Sequence, residues 1–496
     1  MMTRSYSSIC GFVLALQLVV GVVRSNELTL RSMGATGDGK TDDRAAIEAA
    51  LVKAAGAEVD GEGATYAVHG NIAIHNDVNL RNATFVQTMK PVDISEYIPS
   101  AKGKGQLTVE PPEALREMVG TLPLLRADGV ATYSEDVVLS DEQSNALMRT
   151  IDLNTLAITG TKDKPISVRM EKIKVNRGTF PETGNDNCAG IFMSHASPIV
   201  MRNIEITGNG KGTGISMRNC SKVQLERINI HDMIWAPYIG DNVFQVASAK
   251  SIKEDFGWNN FPIYSFRNDQ KKFVRLRIRE QIAGMLVVDT NDVQLVDSKI
   301  ERLQAKVGGR LYPLQADGLT TTGVKNLLVK NCEFSEVWEG IDMTGSLCEE
   351  IVCEDCKATD TLTFGFKLAH PKRNAKLINC TAYRAGLSGF VMEAEVENIE
   401  FIRCRALETG ANGYWTKSDG QRIGTIKGFG LGTNPALPTP LRVKFENCRA
   451  VNKMFPSTLD FGFLCDGGID PAEREIRAIN CTVIGAAKDF QGIVVE

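Results

Sequence analysis

Short runs of alternating apolar and polar residues, each headed by glycine, recur along most of the chain. They include Gly190-Ile191-Phe192-Met193, Gly214-Ile215-Ser216-Met217, Gly318-Leu319-Thr320-Thr321, Gly340-Ile341-Asp342-Met343, Gly365-Phe366-Lys367-Leu368, Gly389-Phe390-Val391-Met392, Gly413-Tyr414-Trp415-Thr416 and Gly462-Phe463-Leu464-Cys465. Alternation over four or five residues between turn formers predicts β-strands. A second frame recurs between them, as in Val329-Lys330-Asn331-Cys332, Leu377-Ile378-Asn379-Cys380, Phe401-Ile402-Arg403-Cys404 and Phe445-Glu446-Asn447-Cys448. Cys332, Cys356, Cys380 and Cys404 are successively 24 residues apart, and Cys448 and Cys481 continue the series at longer intervals. Ile204, Ile228 and Ser298 fill the same slot in earlier copies.

A unit of this size cannot bury its inward side chains alone, but stacked units share one continuous core. The pattern therefore predicts an all-β fold, a parallel β-solenoid. Leucine-rich repeats have a similar period, but their recurrent Leu-x-x-Leu-x-Leu frame is absent. In the solenoid the cysteine slot faces inward, and successive rungs about 4.8 Å apart stack these thiols as a ladder of small apolar side chains rather than as disulfides. The pair Cys353 and Cys356 lacks the second CxxC of a zinc ribbon, so no metal is expected.

The period lapses near 86–155, 241–270 and 420–440, where excursions from the solenoid are expected. Long loops on a rigid scaffold commonly wall a binding groove. Residues 1–25 read as a secretory signal peptide: Arg4 gives a positive start, Ile9 to Val23 is mostly apolar, and small residues precede Asn26. That run is too short for a spanning helix. The remaining 26–496 form the β-helix domain, expected outside the cytoplasm, secreted or periplasmic, with no membrane span after cleavage. Lys and Arg total 56 against 60 Asp and Glu, a formal charge of -4. No basic footprint for nucleic acid follows from that balance.

After the leader stands Gly34-Ala35-Thr36-Gly37-Asp38-Gly39-Lys40-Thr41-Asp42-Asp43. This is a glycine-rich turn followed by Asp42 or Asp43 as N-cap of an amphipathic helix through about Ala55, which would plug the open end of the core. The stretch resembles the N-terminal motif of the pectin-lyase-like superfamily, in the branch joining rhamnogalacturonase-type hydrolases, epimerase-like proteins and some phage tailspikes. The resemblance implies a single-stranded right-handed parallel β-helix. It does not select a reaction, because the superfamily holds hydrolases, lyases and epimerases.

Gln315-Ala316-Asp317-Gly318 is similar to the Asn-Thr-Asp-Gly segment of polygalacturonase-like hydrolases and keeps its Asp. Val337-Trp338-Glu339-Gly340 stands where that family has an Asp-Asp pair and keeps one acid. Near Gly365 the family's Gly-His-Gly is missing, and His370 follows five residues later.

If Ile341 and Met343 point inward, Asp342 and Thr344 point outward. The same phase gives one outer face carrying Asp317, Glu339, Asp342, Lys367 and Glu393, with Arg218 on one side and Trp415 and Lys417 on the other. Carboxyls on neighbouring rungs suit glycoside cleavage, since crowding raises one pKa and makes a general acid. Asp317 and Glu339 are the expected acid/base pair, with Asp342 as third carboxylate. Arg218, Glu393, Trp415 and Lys417 are expected to bind substrate.

The leading expectation is a secreted glycoside hydrolase acting on an extracellular polysaccharide. A lyase or C5-epimerase acting on a uronate polymer would instead use Lys367 or His370, with Lys372, Arg373 and Lys417 as further cations. A non-catalytic carbohydrate-binding, adhesin-like solenoid is the third reading. No cofactor is required, although Asp317, Glu339 and Asp342 could hold a hard cation, and calcium belongs to the lyase alternative. The sequons at Asn82, Asn219, Asn379 and Asn480 coincide with the repeat frame and read as turn residues.

Overall fold

A computed structural model describes residues 28–88, 136–138, 154–177, 189–208, 213–233, 244–245, 263–267, 273–277, 282–303, 306–307, 310–311, 316–369, 372–393, 396–411, 424–432, 441–454, 457–466 and 470–496. The expected signal peptide and the site candidates His370, Trp415 and Lys417 lie outside these residues.

The glycine-headed segments pair in parallel, each with the next copy along the chain. They build a 12-stranded sheet running from Ile72–Ile74 through Ala316–Thr322, Ile341–Met343 and Phe364–Ala369 to Lys488–Gln491. The other strands of each coil, such as Lys325–Lys330 and Glu333–Ser335, stack into a second, 23-stranded sheet system. In the early coils one long strand, for example Ser221–His231, serves both halves and bends at a residue with positive φ, Arg227. All four sequon asparagines hold such left-handed bends, with φ between 51° and 56°. Asn tolerates that conformation better than most residues.

The glycine column is steric. A Cβ on Gly340 would lie 2.4 Å from the carbonyl oxygen of Gly365, and one on Gly318 would lie 2.5 Å from that of Gly340. Inside, Phe366, Phe390, Phe429, Phe463 and Phe490 stack face to face, with centroids 4.6 to 5.1 Å apart. Phe401 and Phe445 form a parallel stack that meets the first edge-on. The cysteine slot is an inward ladder as expected: Cys332, Cys356, Cys380, Cys404 and Cys448 are buried, Cys481 is partly buried, and the described cysteines are free thiols.

The helix Arg44–Ala54 closes the N-terminal end, burying Ile47, Ala50, Leu51 and Ala54. Asp43 is its N-cap by position, but its carboxylate serves the preceding turn instead. The backbone N–H groups of Thr36 and Gly37 donate to its two oxygens at 2.6 and 3.0 Å.

Two excursions meet. Phe244–Gln245, Ile263–Arg267 and Phe273–Arg277 pair antiparallel in series, and the last pairs in parallel with Asp136–Val138. The second excursion thus continues past 270. The third expected excursion, 420–440, contains a strand, Lys427–Gly432, which takes the place on the stack that the sequence pattern assigns to Gly413-Tyr414-Trp415-Thr416. Both segments carry the glycine-headed frame, and Phe429 fills the aromatic stack between Phe390 and Phe463.

Candidate functional site

The register of the 12-stranded sheet places the acids. Leu319, Ile341 and Phe366 pair in one inward column, so Thr320, Asp342 and Lys367 share the adjacent outward column. Asp317 and Glu339 precede the stacked glycines Gly318 and Gly340, and the Gly318 N–H donates to the Glu339 carbonyl at 2.8 Å. Three carboxylates from two adjacent rungs, and one ammonium from the next, thereby converge on one patch of the outer face. Oxygens of Asp317, Glu339 and Asp342 all lie within 4.8 Å of one another.

The expectation that these groups lie open on the surface needs correction. They point away from the solenoid core, yet Asp317, Glu339, Asp342 and Lys367 are 0, 3, 1 and 6% exposed. Alternation of side chains determines direction, not coverage, and the outer face is covered here. Lys367 Nζ lies 3.4 Å from both Glu339 oxygens and 3.6 Å from Asp342 Oδ1. Thr320 Oγ1 donates to Asp317 Oδ2 at 3.1 Å. Thr363 Oγ1 donates to the Trp338 carbonyl at 3.0 Å and reaches Glu339 Oε1 at 3.4 Å.

Three carboxyls gathered around the Lys367 ammonium concentrate acidic groups in a buried patch. Burial of that kind drives protonation. It pushes the Glu339 carboxyl well above the usual range, against the pull of Lys367 and with the repulsion of Asp342, Asp317 and Glu393 adding to it. Asp342 is raised by burial as well, opposed by Lys367. Burial disfavours the Lys367 ammonium, but Glu339 and Asp342 outweigh that cost and hold it protonated. Burial thus favours the neutral form at Glu339 and, in the same direction, at Asp342, and a neutral carboxyl is what a general acid requires. The three acids could also contribute oxygen ligands to a hard cation, in competition with Lys367 for the same negative charge.

Of the other candidates, Glu393 belongs to a neighbouring outward column, paired with Ala369, and is near enough to act on Glu339 electrostatically. Arg218 lies on the strand of Ser216, two rungs before that of Asp317, in register with Val288 and Thr322. Thr320, Thr363 and Phe364 were missed in the sequence. Thr320 shares the column of Asp342 and Lys367, a signal available from the repeat frame. Phe364 occupies the position before Gly365, is partly exposed, and has Lys367 Nζ 5.8 Å from its ring centre. Lys372, expected as a further cation of the lyase alternative, begins the strand Lys372–Ile378 and is fully buried, paired in register with Cys348. Its Nζ donates to the Ser346 carbonyl at 3.3 Å, and burial pushes its pKa down.

Coil geometry and parallel register define the described residues as a right-handed parallel β-helix. A family model described as the right handed beta helix region matches residues 183–346 and 263–425, and one described as the N terminal extension of bacteriophage endosialidase matches 35–88. Among solved structures, the chain is similar to the A-module of mannuronan C-5 epimerase AlgE6 from Azotobacter vinelandii, with 11% identity, 95% of this chain and 99% of that one covered, and TM-score 0.40. It is similar to an N-terminal fragment of gene product 12 of bacteriophage Phi29, with 12% identity, 94 and 65% covered, and TM-score 0.43. It is also similar to an endo-xylogalacturonan hydrolase from Aspergillus tubingensis, with 9% identity, 95 and 94% covered, and TM-score 0.34. No curated protein matches the chain. Among the described residues no helix is long and apolar enough to cross a membrane.

Proposed function

We propose that this β-helix cleaves an extracellular polysaccharide by hydrolysis, with Glu339 as general acid. The observation that carries the reading is the buried cluster of Asp317, Glu339 and Asp342, with oxygens within 4.8 Å and one ammonium among them. Glu339, kept neutral by burial, donates its proton to the departing glycosidic oxygen. Asp317, oriented by the Thr320 hydroxyl, takes a proton from the attacking water. Asp342, balanced by Lys367, supplies negative charge beside the developing oxocarbenium ion. Because the acids are covered, substrate entry requires the covering surface to open.

A lyase or epimerase needs an unprotonated base beside the sugar. The surrounding acidic groups hold Lys367 protonated, so it fits the role of a cation that neutralises a uronate carboxylate but not that of the base. The acids themselves would repel such a carboxylate. Location outside the cytoplasm belongs to this proposal and rests on the leader-like residues 1–25.

The test is incubation with a panel of neutral and uronate-containing polysaccharides, following reducing ends and the ultraviolet absorbance of unsaturated uronates together. Reducing ends without absorbance support hydrolysis. Reducing ends with absorbance mean a lyase, and binding without shorter products means a carbohydrate-binding solenoid.

A further inference from the structure

The cysteine ladder is a feature that polysaccharide cleavage does not use. Cys448 and Cys481 immediately precede the paired residues Arg449 and Thr482, so the two cysteines lie one rung apart in register. The Thr482 N–H donates to the Cys448 carbonyl at 2.9 Å. Register pairing of parallel strands sets a Cα separation of about 4.8 Å, inside the roughly 4.4–6.8 Å a disulfide spans. The same relation links Cys404 to Cys448, Cys380 to Cys404, Cys356 to Cys380 and Cys332 to Cys356.

Each thiol donates to carbonyls and also meets the thiol of the neighbouring rung by side-chain hydrogen bonding. Cys448 Sγ reaches the Phe401 and Glu446 carbonyls at 3.3 and 3.5 Å, and Cys481 Sγ reaches those of Phe445 and Ile479 at 3.5 Å. Cys332, Cys356, Cys380, Cys404 and Cys448 are buried, whereas Cys481, at the last rung, is partly exposed. Oxidant therefore meets the ladder at one end.

We propose that Cys481 is the entry site for peroxide oxidation, and that the ladder carries the resulting disulfide inward by exchange between rungs. In the first step the Cys481 thiolate attacks hydrogen peroxide, forming the sulfenic acid and releasing hydroxide. The Cys448 thiolate then displaces hydroxide from that sulfur and forms the Cys448–Cys481 disulfide. Overall two thiols and one peroxide give one disulfide and two waters. In the second step the Cys404 thiolate attacks Cys448 and expels the Cys481 thiolate, which is again available to peroxide. Exchange proceeds through an attacking, a central and a leaving sulfur in line. A column of cysteines in register along the solenoid axis supplies that alignment.

The experiment treats the reduced full-length protein with hydrogen peroxide at mildly alkaline pH, then blocks remaining thiols and maps cysteines by peptide mass spectrometry. The wild type should lose two ladder thiols per peroxide. The Cys448–Cys481 disulfide should appear first, and disulfides farther up the column afterwards. Cys481→Ser should slow oxidation of the buried ladder thiols by about tenfold or more, because Cys481 is the partly exposed thiol of the described ladder and exposure is one of the two determinants of susceptibility, beside thiolate character, while Cys465→Ser, outside the ladder, should not. An unchanged melting temperature for Cys481→Ser would exclude misfolding as the cause. Equal oxidation of buried ladder thiols in wild type and Cys481→Ser would overturn the proposal. So would conversion of Cys481 to its sulfinic acid with Cys448 left free.

Discussion

Replacing Lys367 with Met removes the ammonium from the acid cluster while keeping most of the volume of the side chain. In the native arrangement Nζ lies 3.4 Å from Glu339 and 3.6 Å from Asp342. At an effective dielectric of about 20, an ionised partner at such distances is attracted by roughly 4–5 kcal/mol. Breaking a buried pair on one side costs about 3–5 kcal/mol, because the remaining charge stays desolvated. The carboxyls can avoid part of that cost by binding protons, so the loss depends on pH. Glu339 and Asp342 already have folded-state pKa values above their ordinary ones. Groups raised in this way add stability that is fully present below the unfolded-state pKa and is lost as pH rises through the folded-state value. Loss of Lys367 raises both carboxyls further. The variant should therefore lie close to wild type in urea midpoint near pH 5 and fall well below it near pH 8, each unit of added shift being worth about 1.36 kcal/mol. Equal midpoints at both pH values, or a larger deficit under acid conditions, would refute the buried-charge account.

Three further outcomes follow from the same geometry. Activity on the polysaccharide substrate should fall on the alkaline side as pH rises through the raised pKa of Glu339, since the general acid must carry its proton; a pH–rate profile checks this. Phe429→Ala should destabilise by about 3–5 kcal/mol in chemical denaturation, because its ring stacks between Phe390 and Phe463; a neutral result would undo the assignment of Lys427–Gly432 to the stack. Gly340→Ala should lower the thermal midpoint, since the added Cβ would meet the Gly365 carbonyl at 2.4 Å and the Ala358 Cβ at 2.8 Å. Overpacking of this kind costs about 1–3 kcal/mol.

Much of the architecture was legible because a solenoid writes its register into the sequence. The cysteine slot and the glycine-headed strands repeat so regularly that the inward and outward columns, including Asp342 above Lys367, follow from counting. The rung after Gly389 did not, because the 24-residue interval points to Gly413, whereas the strand that pairs next is Lys427–Gly432, headed by Gly428. Local frame cannot choose between two glycine-headed segments; the phenylalanine stack does. Burial of the acids was not legible either, since alternation along a strand determines which way a side chain points and not how far its face is covered. Lys372 misled for a related reason: its neighbours His370 and Pro371 suggest a turn, yet it holds the inward column of Cys348 and Val396.

The most direct test of the central claim compares wild type with Glu339→Gln and Asp317→Asn on a polysaccharide that the wild type degrades, measuring reducing ends released per enzyme. The account predicts losses of about 10²–10⁴-fold in both variants, with thermal midpoints no lower than wild type and no unsaturated-uronate absorbance from any of the three proteins. Activity retained in either variant, or absorbance rising together with reducing ends, would contradict it.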